Sequence, residues 1–119
     1  MTRTVQRAIV LAAALAAVLL VAVPALARQE ANVSRKVYAT EFSFRLPIKS
    51  ARTGTVTFMV QNKGKLPHDF KIAGRKTVMI KPGKNANVKV TFKRKGKYTY
   101  ICTVAGHAPA GMKGTFVVK

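Results

Sequence analysis

The chain has 119 residues, with 22 Lys and Arg against three Asp and Glu, a formal charge of +19 at pH 7, and a single cysteine. That length leaves room for one domain, and a lone thiol excludes an internal disulfide as the staple that a small core often needs. The charge points to polyanionic or acidic partners and anionic surfaces, and says nothing about the chemistry of a site.

At the N-terminus, Arg3 and Arg7 precede an unbroken apolar run from Ile9 to Val23, and Ala25, Leu26 and Ala27 supply the small residues of a cleavage point. The run falls short of the ~20 residues that span a bilayer. Residues 1–27 are therefore expected to be a signal peptide cleaved after Ala27, with retention as a membrane anchor as the competing reading. No cysteine lies near that point to carry a lipid. Residues 28–119 are then an exported domain, periplasmic or extracellular. Export argues against a nucleic-acid partner, and no nucleic-acid-binding signature is present.

Residues 28–34 read as a loose lead-in. Beyond them period-2 alternation dominates, with no helical stripe. Phe42, Phe44 and Leu46 alternate with Ser43 and Arg45; Val56, Phe58 and Val60 alternate with Thr55, Thr57 and Gln61; Val88, Val90 and Phe92 alternate with Lys89, Thr91 and Lys93. Tyr98, Tyr100 and Cys102 share one face of a strand, and Phe116 and Val118 one face of the last. Turn signals separate the runs at 62–65, 73–74, 81–84 and 95–97. The expectation is an all-β domain, an antiparallel sandwich or small barrel, with most lysines on solvated outer faces. Met59 and Met79 lie in apolar runs and are expected to fill the core.

The chemistry concentrates near the C-terminus, where Cys102, His107 and Met112 follow one another with four residues between each pair. Thiolate and imidazole are borderline-soft ligands that suit copper and zinc, and a thioether is a weak ligand that prefers copper. Two histidines and a cysteine in trigonal array, with a distant axial methionine, make a blue-copper electron-transfer site. His68, in Leu66-Pro67-His68-Asp69-Phe70, is the other histidine of the chain and completes that set. It is expected at the start of a strand, which a metal would pin to the loop. Any one of these residues alone would more simply be core or surface. Met112 differs from the other methionines in sitting between Gly111 and Gly114 rather than in an apolar stripe.

The run Gly96-Lys97-Tyr98-Thr99-Tyr100-Ile101-Cys102, then His107, Met112 and a closing Gly114-Thr115-Phe116-Val117-Val118, resembles the C-terminal half of the cupredoxins, the plastocyanin and azurin kind of blue copper protein. The resemblance extends back through His68 to Phe42 and Phe44. It implies a Greek-key β-sandwich of about eight strands holding one copper ion, Cu(I) or Cu(II), with His68, Cys102 and His107 equatorial and Met112 axial. It further implies a monomeric one-electron carrier whose second histidine lies in an apolar surface patch, here Leu66, Pro67, Ala108, Pro109 and Ala110. The partners are then redox proteins, acidic ones included, docking transiently near His107. Lys63, Lys65 and Lys113, adjacent in sequence to the ligand loops, are the candidate rim, against the alternative of solvated loop lysines with no role. The loop spacing departs from that of plastocyanins and of azurins. Asp69 stands where the family often has asparagine; its backbone N–H can still reach the cysteine sulfur, and its carboxylate can accept from Thr103.

Three other readings compete. A periplasmic copper chaperone or store could use the same fold. An enzyme of the nitrite reductase or multicopper oxidase kind needs further histidine ligands, and both histidines are already used, so no enzymatic activity is expected. A metal-free polyanion-binding sandwich rests on charge alone.

Overall fold

The computed structural model describes residue 17 and residues 32–119; the expected signal peptide and its cleavage point lie outside the described residues, residue 17 apart. The described residues form two sheets. In chain order the strands are β1 (Val33–Thr40), β2 (Ser43–Arg45), β3 (Ser50–Ala51), β4 (Gly54–Asn62), β5 (Lys71–Ile72), β6 (Arg75–Lys76), β7 (Asn85–Phe92), β8 (Gly96–Ile101) and β9 (Lys113–Val118). One sheet has the order β2-β1-β4-β7, the other β3-β9-β8-β5-β6. The chain crosses between them four times after β2, β3, β4 and β6 and again after β7, which is the fold expected from the alternating runs.

Three details differ from expectation. First, β1 begins at Val33, inside the supposed lead-in. Second, the sandwich is mixed rather than antiparallel, since β1 pairs β4 in parallel and β3 pairs β9 in parallel. Parallel pairing needs a crossover. The excursion through β3 in the opposite sheet supplies one between β1 and β4, and no local turn signal could reveal it. Third, Phe42, Phe44 and Leu46 do not share one strand face, because β2 is only three residues long and Phe42 falls in the turn before it.

The long alternating strands behave as their pattern requires. Along β4 every second residue from Gly54 to Asn62 is buried, and Val88, Val90 and Phe92 of β7 are buried opposite. Phe58 lies at the centre, with Phe70, Phe116 and Phe92 around it at ring-centroid distances of 5.2, 5.1 and 6.3 Å. Met59 faces the other side of β4 and is only half-buried, while Met79 is 51% exposed. Neither fills the core. An apolar residue type does not reveal its own face, and the register set by Phe58 turns Met59 away from the interior.

A few polar bonds hold the end of the sandwich where β4 stops. Asn62, the last residue of β4, is buried, and its Nδ2 donates to the carbonyls of Leu66 and Ile80, each at 2.8 Å. Its Oδ1 accepts from the N–H of Gly64 at 2.9 Å. One side chain thus ties the 63–66 turn to the segment entering β7, and both lead to His68.

Candidate metal centre

His68 is not in a strand proper. It makes an isolated antiparallel bridge to Ile80, with His68 N–H to Ile80 O at 3.1 Å and the reverse bond at 2.7 Å, ahead of β5. The bridge fixes the backbone on both sides of the imidazole, which is fully buried. Cys102 directly follows β8, the strand that pairs with β9 and β5, so its position is set by the centre of the second sheet. The turn that follows closes on itself. His107 N–H donates to Val104 O at 3.0 Å, Met112 N–H to His107 O at 3.1 Å, and Cys102 N–H to Met112 O at 3.0 Å. The four-residue spacers are therefore the perimeter of a hydrogen-bonded loop that begins and ends at the same place.

The consequence is convergence. One ligand atom each from His68, Cys102 and His107 lies within 4.8 Å of the other two, and all three residues are buried. Cys102 Sγ lies 3.6 Å from His107 Nδ1 and 4.0 Å from His68 Nδ1, and the two Nδ1 atoms are 3.1 Å apart. Met112, fully buried, belongs to the same loop through its two backbone bonds. Two imidazole nitrogens and one thiol around a small buried volume fit a copper-type ion better than a hard cation, which would want oxygen. Burial pushes the Cys102 thiol above its ordinary pKa, while the backbone N–H groups of Asp69 and Val104 act in the opposite sense.

Asp69 does what was expected of it and more. Its Oδ1 accepts the Thr103 N–H at 2.6 Å, its Oδ2 accepts the Thr103 hydroxyl, and Lys76 Nζ stands 4.0 Å from Oδ2. It thereby locks the residue after His68 to the residue after Cys102.

Two residues of this site escaped the sequence reading, and both sit in the turn between β1 and β2. Phe42 packs edge-on against the His107 ring with centroids 5.1 Å apart, and it is 40% exposed. Glu41 Oε1 accepts the Lys65 N–H at 2.6 Å and the Leu66 N–H at 2.7 Å, and lies 3.3 Å from His68 Nε2. These bonds, that of Leu66 the largest cause, hold the Glu41 carboxyl down at about 2. The available signal was scarcity, because Glu41 is one of three acidic residues in the chain and another is Asp69.

Comparison with known proteins finds relatives of the same fold. The family described as cupredoxin-like domain matches residues 11–118. The copper-resistant cuproprotein CopI of Vibrio cholerae is 27% identical over 93 residues, covering 60% of this chain; the chain spans about half (55%) of that relative's length. Among solved structures, the reduced auracyanin of Roseiflexus castenholzii superposes with a TM-score of 0.66 at 19% identity, over 76% of this chain and 98% of that one. Auracyanin A, a blue copper protein of Chloroflexus aurantiacus, does so with a TM-score of 0.63 at 20% identity, over 75% and 100%.

Proposed function

The chain belongs to the cupredoxin family, and we propose that it is an exported one-electron carrier that holds a single copper ion through His68, Cys102, His107 and Met112. The observation that carries this reading is the convergence of two imidazoles and the only thiol of the chain on one buried point. Copper bound there would supply reversible Cu(I)/Cu(II) exchange of one electron. The chain's own part is to keep the donors still: the Ile80 bridge holds His68, the closed loop holds Cys102 and His107, and Asp69 joins the two. Donors that cannot rearrange suit either oxidation state with little movement, which is what a fast carrier needs.

Electrons would pass at the surface around His107, where Phe42, Leu66, Pro67, Pro109 and Ala110 are exposed. A small, largely apolar contact suits a partner that must leave quickly. Lys63, Lys65 and Lys113 flank it in sequence and are exposed. The other basic cluster, Lys93 and Arg94, lines a groove with Arg75 and Lys89; it follows β7 and precedes the start of β8, a whole strand away from Cys102. With hexacyanoferrate(II) as an anionic reductant, replacing Lys63, Lys65 and Lys113 together by Glu is expected to slow reduction about tenfold at low ionic strength and to flatten its salt dependence. Equal rates for parent and variant at low salt would remove these lysines from the docking rim.

The direct experiment is addition of Cu(II) to the metal-free protein, followed by visible absorption. An intense band toward the red supports the reading, and a colourless copper-loaded protein overturns it. A second reading, copper handling rather than electron transfer, is favoured by the likeness to a copper-resistance protein. Rapid reversible voltammetry with slow copper loss separates the carrier from a protein that passes its copper readily to an acceptor.

A further inference from the structure

We infer that Glu41 is a positioning residue for the metal centre, selecting the tautomer of His68 that leaves Nδ1 free to bind metal and strengthening that nitrogen as a donor. The inference rests on the copper reading of the same site. Its geometric basis is specific. A carboxylate that accepts two backbone N–H groups has no proton to give, so the contact from His68 Nε2 to Glu41 Oε1 at 3.3 Å requires the hydrogen on Nε2. The lone pair is then on Nδ1, the atom that faces Cys102 Sγ at 4.0 Å and His107 Nδ1 at 3.1 Å. The latter contact is complementary, with His107 donating from Nδ1–H to His68 Nδ1 in the metal-free protein.

The position of Glu41 is built rather than incidental. A Cβ at Gly64 would overlap the Glu41 carboxylate, lying 2.8 Å from Oε2, so a larger residue there would displace the carboxylate from its present position. Asn62 Oδ1 holds the Gly64 N–H from the other side. His68 itself is fully buried, so water does not compete for its Nε2. A ligating imidazole whose other N–H meets a carboxylate is a stronger base than one bonded to a neutral acceptor. A stronger, anion-backed donor favours Cu(II) over Cu(I), so Glu41 lowers the reduction potential of the centre.

The rival view is that Glu41 only pins the Lys65 and Leu66 amides. Glu41→Gln and Glu41→Ala separate the two. In metal-free protein, nitrogen-15 spectra of the imidazoles are expected to show His68 protonated at Nε2 in the parent and in E41Q, and a mixture of tautomers in E41A. This readout needs no copper. With copper, E41Q removes the charge and keeps an acceptor oxygen. Its Cu(II) affinity is expected to fall about 10–100-fold, with a smaller loss for Cu(I). Each tenfold difference between the two losses raises the potential by about 59 mV. The inference is overturned if E41A keeps a single Nε2–H tautomer, or if E41Q, folded by far-UV circular dichroism, matches the parent in potential and Cu(II) affinity. Should E41A fail to fold, E41Q decides. A parent protein that binds no Cu(II) would refute the carrier reading instead and leave the tautomer result to stand by itself.

Discussion

Replacing Cys102 by Ser is expected to abolish the visible Cu(II)–thiolate absorption completely while leaving the metal-free fold in place. The thiol is the only soft anionic donor among the converging groups, 1% exposed and 3.6–4.0 Å from both histidine Nδ1 atoms. A serine hydroxyl is nearly the same shape, so the loop around it keeps its backbone bonds. It is, however, a hard, neutral donor that does not ionise at neutral pH and does not replace a thiolate at copper. The comparison is an absorption titration with Cu(II), paired with thermal unfolding of both proteins without metal. A variant that unfolds far below the parent would show that the sulfur serves packing above ligation. A variant that keeps the parent's colour would show that copper binds elsewhere. The metal-free polyanion-binding reading makes the opposite forecast, that the substitution leaves function intact.

The second large effect is on stability. Phe58→Ala is expected to cost about 3–5 kcal/mol, the range for emptying a buried aromatic site. Phe58 is fully buried and meets Phe70, Phe92 and Phe116, which come from both sheets and from the segment between His68 and β5. Against a total stability of about 5–15 kcal/mol for a typical domain, that loss removes a large share. The test is urea unfolding of metal-free protein, since bound copper would add its own stabilisation by mass action. A lowered midpoint with unchanged slope is expected. A loss below about 1 kcal/mol would mean that the neighbouring rings collapse into the space, and that Phe58 is not the centre of the core.

The two experiments probe one design. Phe70 lies two residues from His68, and its ring contacts Phe58 at 5.2 Å and Tyr100, two residues before Cys102, at 5.3 Å. The aromatic core therefore reaches the backbone beside two of the candidate ligands, and packing on one side of it supports the positions of His68 and Cys102 together.

Much of this was legible in the sequence because it depends on residues close together in the chain. The alternation in 54–62 and 85–92 reports which side chains share a face, since a strand repeats every two residues. The donor types at 68, 102, 107 and 112 report the chemistry, because few residue types bind a soft metal. Asp69 was readable for the same reason, being adjacent to a candidate ligand, and its bond to Thr103 was anticipated.

What the sequence could not determine depends on which strand lies beside which. The parallel pairing of β1 with β4 follows from a crossover through the second sheet, and alternation is identical for parallel and antiparallel neighbours. Phe42 read as one more apolar residue in an alternating run, but the end of β1 at Thr40 puts it in a turn against His107. Glu41 entered the sequence reading only as one of three acidic residues in the charge balance. The parallel pairing of β1 with β4, with Ala39 opposite Asn62, ends both strands at the same edge of one sheet, so the turn after β1 lies beside the 63–66 segment and its carboxylate reaches His68, 27 residues away. The sequence by itself determined which side chains could serve as ligands and which face each long strand turns inward, since these are local properties of residue type and period. Tertiary structure alone decided what surrounds these candidate ligands, because contacts between distant segments are set by how strands and sheets pack and leave no periodic mark on either segment.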